Sequence, residues 1–83
     1  MRSNLVVVTG GTGCIGSFLV ELLLKKGATV RVPFRNDYGH LKHVSDQIDW
    51  MKGDLSDPEF CTELLQGATH LCHLAAFRQN IDF

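Results

Sequence analysis

Leu5 to Val8 is a run of four apolar residues, three of them valine. It is too short for a helix and rich in β-branched side chains, which predicts a buried parallel strand. The period then changes. Ile15, Phe18, Leu19, Leu22 and Leu23 fall at i, i+3, i+4, i+7 and i+8, one stripe of a helix from about Cys14 to Lys26. Lys25 and Lys26 suit the negative end of its dipole, and Gly27 is a natural stop. In Ala28 to Phe34, Val30, Val32 and Phe34 alternate with Thr29, Arg31 and Pro33 as in a second strand. Pro33 has no N–H to donate, so pairing is expected to end about there. Asn36 to Asp46 carries little pattern beyond Leu41 and Val44, spaced for one turn of a short helix. Ile48 and Trp50 alternate with Asp49 and Met51 in a third strand that stops at Gly53-Asp54. Asp57 is an N-cap, with Pro58 at the first helical position and Glu59 in the first turn. Phe60, Leu64 and Leu65 are expected to face inward from that helix, which Gly67 ends. Thr69 to Leu74 reads as a fourth strand leading into Ala75-Ala76. Strands alternating with helical segments predict a parallel sheet with helical crossovers.

Between the first strand and the first helix, Gly10, Gly13 and Gly16 recur at every third position. Strand, glycine turn, helix is the context a dinucleotide-binding fingerprint requires. Gly10 lets the chain leave the strand in a tight turn that admits positive φ. Gly13 puts no side chain where a pyrophosphate approaches the backbone, and Gly16 lets the helix pack close to the strand. The first-turn N–H groups and the positive dipole end then face the phosphates. Gly11-x-Gly13-x-x-Gly16 also satisfies the commoner G-x-G-x-x-G spacing, but Thr9 ahead of Gly10 favours the reading with one more residue in the turn. The flanking strand and helix argue against a glycine-rich turn that binds nothing.

Composition narrows the classes. The chain has 83 residues, 45% hydrophobic and 20% charged, as in one small soluble domain. A net charge of -1 provides no bulk electrostatic case for nucleic acid or an anionic membrane. No apolar run approaches the ~20 residues of a membrane helix. Met1-Arg2-Ser3-Asn4 with four apolar residues is too short for a signal peptide. Cys14, Cys61 and Cys72, odd in number and unrelated in spacing, suggest reduced thiols and a cytoplasmic protein. His40 and His43 share an i, i+3 spacing, as do His70 and His73, but zinc needs four converging ligands. Along the fourth strand Cys72 and His73 point to opposite faces, so no metal is expected, and His73 reads as strand-end packing beside the cleft.

Four blocks carry a family resemblance: VVVTGGTGCIGSFLVELLLKKG, VRVPFR, the Gly53-Asp54-Leu55 turn, and His73-Leu74-Ala75-Ala76. In that order and spacing the chain resembles the extended short-chain dehydrogenase/reductase family, the NAD(P)-dependent epimerases, dehydratases and reductases. Within it, the order is similar to the dihydroflavonol-reductase-like branch. The resemblance implies an α/β Rossmann-type parallel sheet with helical crossovers, its N-terminal half only, with strand order 3-2-1-4. It implies that Gly10, Gly13, Cys14, Ile15 and Gly16 wrap the pyrophosphate. It places Asp54 and Leu55 at the adenine, the carboxylate accepting from the amino group, and Ala75 and Ala76 along the adenosine ribose. Asp54 read without the family is a turn aspartate closing the third strand, and Ala75-Ala76 is simple packing.

The end of the second strand bears on the choice of cofactor. NAD binders place an acid about 20 residues past the glycines, on the ribose 2′-OH. Here Phe34 holds the position where family members carry that acid, and Arg35 follows, a guanidinium suited to a 2′-phosphate. NADP is the expected cofactor. Asp37, 21 residues past Gly16, keeps NAD open, and Arg35 as a solvated loop charge is the plainer alternative.

The family's catalytic Tyr-x-x-x-Lys lies beyond a fifth strand, and residues 1–83 end before it. The expectation is therefore a partial NAD(P)-binding domain, a fragment without catalytic or substrate-binding residues and inactive alone. Its full-length parent would move hydride between nicotinamide and a carbonyl or alcohol carbon of a small-molecule substrate. A non-catalytic NAD(P)-sensing regulatory module of the same fold is the alternative, since fold does not settle function. Tyr38-Gly39-His40-Leu41-Lys42 has the catalytic spacing but follows the second strand, at the adenosine end, and Gly39 weakens the helix the motif needs. Self-association through an exposed fourth strand is also expected.

Overall fold

The computed structural model describes residues 4–10, 12–35 and 38–74. β1 (Leu5–Thr9) buries Val7 against one layer and Val6 and Val8 against the other, which is why it reads as an unbroken apolar run. α1 (Cys14–Lys25), β2 (Thr29–Phe34), a 3₁₀ helix (Gly39–Gln47), β3 (Asp49–Lys52), α2 (Pro58–Leu65) and β4 (His70–His73) follow. The four strands are parallel in the order β3-β2-β1-β4, the arrangement of a Rossmann-type sheet. Val6 pairs with Val30 on one side and His70 on the other, and Val32 with Trp50.

Two apolar layers hold the sheet. α1 and the 3₁₀ helix cover Val6, Val8, Val30 and Val32 with Val20, Leu41 and Ile48. α2 covers Val7 with Phe60 and Leu64. Asp57 caps α2 as its sequence predicts, its carboxylate accepting from the Glu59 N–H at 3.0 Å with Pro58 at the first turn. Arg31 closes the other end of that helix, donating to the Leu64 and Gln66 carbonyls at 2.8 and 2.9 Å and to Asp49 at 2.8 Å.

Two sequence expectations are corrected, both on helices. The α1 stripe is turned: Phe18 is 74% exposed, Ile15 71% and Leu22 45%, while Val20 is fully buried. The helix meets the sheet along Gly16, Val20 and Leu24, flanked by Leu19 and Leu23. One of these positions is a buried glycine, which a count of apolar side chains does not weigh. On α2, Phe60 and Leu64 point inward but Leu65 is 42% exposed, because they already span the contact with Val7. β2 pairing ends about Pro33 as its sequence predicts, the last pair with β3 being Phe34↔Lys52. The Phe34 carbonyl accepts from the Gly53 N–H, so Pro33 turns its backbone toward β1, where the ladder has already ended at Val7↔Arg31.

Candidate functional site

The carboxyl ends of β1, β2 and β3 meet at one edge of the sheet, where open α/β sheets place their ligands. At the end of β1, Gly10 takes φ 79°, a conformation open to glycine at little cost, and its carbonyl accepts from the Gly13 N–H at 3.1 Å. That turn delivers the chain to the first turn of α1. Gly13 is the N-cap, with no side-chain cap on the helix and no acid in its first turn. The first amides of a helix lack intrahelical acceptors, so this end presents uncapped donors and the positive end of the dipole.

Gly13 is informative for what it does not need. Its φ of -82° suits any residue, and among the described residues a Cβ there would meet only the Gly10 carbonyl oxygen, at an ordinary 3.5 Å. Neither backbone nor packing calls for glycine, so the position keeps open a space over the helix terminus. The residues fit an anionic diphosphate. Cys14 opens α1, Ile15 is exposed beside it, and Gly16 is buried against the sheet.

A cleft of about 170 Å³ opens from Gly10 along Pro33, Phe34, Arg35, Gly53, Asp54 and Leu55. It brings together the expected residues Gly10, Arg35, Asp54 and Leu55. One oxygen of Asp54 accepts from the Ser56 N–H at 3.0 Å, and the Asp54 carbonyl accepts from Asp57 N–H, which fixes the turn. The Ser56 backbone hydrogen bond, then the Ser56 side chain and the Arg35 guanidinium, hold the Asp54 carboxyl below the ordinary aspartate value, outweighing a small desolvation. Arg35 and Asp54 stand 3.9 Å apart and are 73% and 51% exposed. So long and solvated a pair contributes little, leaving both groups able to turn to a ligand. Leu55 packs against the α2 layer. Ala75, Ala76 and Asp37 lie outside the described residues.

Though it named Phe34, Tyr38 and His73 singly, sequence reasoning missed the aromatic cluster beside this cleft. Phe34 lines it and sits in an aromatic cluster, edge-on to Tyr38 at 5.2 Å and to Trp50 at 5.5 Å, with Tyr38 stacked on Trp50 at 4.2 Å. Trp50 is held by its indole N–H to the Ser45 carbonyl at 2.9 Å. Paired aromatics in β2 and β3 were the available signal. At the edge toward β4, the Thr9 hydroxyl and His73 Nδ1 share a hydrogen bond, which puts His73 at the strand end beside the glycine turn.

With that geometry in place, comparison identifies the class. The chain belongs to the NAD dependent epimerase/dehydratase family, whose model matches residues 6–82. Among its relatives is vestitone reductase of Medicago sativa, 31% identical over 87 residues that cover 94% of this chain and 26% of that protein. Cinnamoyl-CoA reductase 1 of Petunia hybrida is 37% identical over 86 residues, covering 92% of this chain and 26% of that protein. The chain thus spans about a quarter of the length of these relatives. The crystal structure of alfalfa vestitone reductase superposes with a TM-score of 0.70 at 29% identity, over 86% of this chain and 24% of that one. A short chain dehydrogenase from Leptospira borgpetersenii, solved with bound NAD+, superposes with a TM-score of 0.62 at 28% identity, over 95% of this chain and 28% of that one.

Proposed function

We propose that this chain is the NADP-binding portion of an oxidoreductase or epimerase that moves hydride between nicotinamide and a carbonyl or alcohol carbon of a small-molecule substrate. The observation that carries the reading is the junction at Gly10. Gly10 lines the cleft that also holds Arg35 and Asp54, and its carbonyl is hydrogen-bonded to the N–H of Gly13, the N-cap of the uncapped α1. The reductases among its relatives support the hydride chemistry.

The cofactor, when bound, supplies or accepts the hydride. The chain's own residues bind and orient. Backbone amides at the start of α1, with Gly10, Gly13, Cys14, Ile15 and Gly16 around them, receive the diphosphate. Arg35 pairs with the 2′-phosphate, a planar donor fork meeting phosphate oxygens. Asp54, kept ionised by Ser56, accepts from the adenine amino group over Leu55. Ala75 and Ala76 take the ribose side, as the family resemblance implies. Phe34 stands where an NAD binder carries an acid, so this edge offers the 2′ position a cation and no carboxylate from β2.

Calorimetric titration of the chain with NADP+ and with NAD+ tests the reading. Binding of both with NADP+ tighter is the expected result. Absence of binding to either would overturn it, and tighter binding of NAD+ would overturn the cofactor preference.

A further inference from the structure

We infer that Tyr38–Leu41 is a strap that sets the shape of the glycine loop, with Tyr38 and Gly39 as positioning residues for the cofactor diphosphate; this rests on the function proposed above. The segment opens the Tyr38-x-x-x-Lys42 spacing, which sequence reasoning sets aside as catalytic. Its structure supplies another role.

Beyond β2 the chain returns over the glycine turn. The His40 N–H donates to the Thr12 carbonyl at 3.2 Å. Gly39 lies directly on the same group: a Cβ built on it would overlap the Thr12 carbonyl oxygen and come within 2.9 Å of Thr12 Cβ. Gly39 also takes φ +56°, so both backbone conformation and contact call for glycine. The strap is anchored on either side of this point. Tyr38 stacks on Trp50 and meets Phe34 edge-on. Leu41 is fully buried in the α1 layer, and its N–H donates to the Tyr38 carbonyl at 3.0 Å.

Thr12 is held in turn between Gly10 and Gly13, whose hydrogen bond closes the turn feeding α1. The strap side of this contact is tied into the core and the aromatic cluster. A shift of the strap therefore moves Thr12 and, through it, the amides that open α1. Phe34 belongs both to the cluster that grips Tyr38 and to the cleft. The strap so joins the adenosine end of the site to its diphosphate end.

Three variants of the full 83-residue chain test this by two readouts. The first is the ¹⁵N NMR spectrum without cofactor, including exchange of the His40 amide; the second is calorimetric affinity for NADP+. Gly39→Ala is expected to shift the amides of Thr12 to Gly16, leave those of α2 in place, and weaken NADP+ at least tenfold. Tyr38→Leu removes the ring stack without straining the loop, and is expected to speed His40 exchange and weaken NADP+ several-fold. Tyr38→Phe keeps the ring and should restore both, which a role for the hydroxyl would not. If Gly39→Ala does not fold, the two Tyr38 variants decide. Loop amides and affinity unchanged in Tyr38→Leu, with wild type binding NADP+, would overturn the strap. A wild-type chain that binds neither NADP+ nor NAD+, while Tyr38→Leu still alters the loop amides, would overturn the functional reading and uphold the strap's hold on the loop.

Discussion

Replacing Gly53 by alanine tests the packing beneath the cleft. Gly53 follows β3 and donates its N–H to the Phe34 carbonyl at 3.0 Å. A Cβ on it would overlap Cδ1 and Cε1 of Phe60 and lie 2.7 Å from Cγ. Ordinary contact begins at 3.4 Å, so even Cγ must retreat by about 0.7 Å and the ring edge by more. Phe60 is only 8% exposed and packed with Val7 and Leu64, so the ring has no open side to retreat into. Overpacking of this kind costs about 1–3 kcal/mol. In a domain of this size that is a large share of total stability. Urea unfolding followed by Trp50 fluorescence measures it. With a slope of about 1 kcal/mol/M, the midpoint should fall by about 1 M or more at unchanged slope. Adding Phe60→Leu removes Cε1 and replaces the rigid ring by a branch that can rotate away from Gly53, so the double variant should be less destabilised than the sum of the singles, a coupling of about 1 kcal/mol. An unmoved midpoint for Gly53→Ala, or strict additivity with Phe60→Leu, would refute the contact as the reason for this glycine.

Gly13→Val should fold as wild type does, because among the described residues a Cβ there meets only the Gly10 carbonyl at an ordinary 3.5 Å, yet lose NADP+ binding; calorimetry showing wild-type affinity would remove the loop from the site. Arg35→Asp should reverse a preference for NADP+ over NAD+, since a charge-assisted hydrogen bond contributes about 1.5–3 kcal/mol, tenfold or more in affinity. Equal affinity of wild type for the two cofactors would contradict the assignment. The Asp54 carboxyl, followed by ¹³C NMR, should titrate below the ordinary aspartate value because Ser56 donates to its ionised form. A group with lowered pKa contributes stability above the unfolded-state value and loses it as pH falls through the folded one, so the loss belongs to the acid limb. Among the described residues β4 is an edge strand with Leu71 50% exposed, so the chain should self-associate and Leu71→Lys should reduce this in sedimentation.

What the sequence made legible is what local pattern encodes. The valine run, the Asp57-Pro58 cap and the change of period after Gly16 led to the right elements in the right order. Of the cleft residues, Gly10 was read from the glycine pattern, Arg35 from its place after the second strand, and Asp54 and Leu55 through the family resemblance; the fold brings them together. Contacts between distant segments left no local trace. Gly39 meets Thr12 across 27 positions, and Arg31 reaches the end of α2 across 33 and 35. The docking line of α1 was misjudged for a related reason: helical period locates the apolar side chains, whereas the partner surface selects which of them to cover.

The glycines separate what the fold needs from what a ligand needs. Gly10 is required by its backbone conformation. Gly39 yields to Thr12 and Gly53 to Phe60, both for reasons internal to the chain. Gly16 lies buried where α1 comes down on the sheet. Each of these would be kept by a protein that bound nothing. Gly13 differs, since its backbone is ordinary and a Cβ would be accommodated. A glycine that costs conformational entropy without serving packing or backbone calls for a reason outside the chain's own atoms. The space it leaves faces an uncapped helix N-terminus, where an anion is stabilised by both donors and dipole. Among the described glycines of the motif, Gly13 therefore carries the argument for a bound diphosphate, and Gly13→Val is the substitution that separates binding from folding.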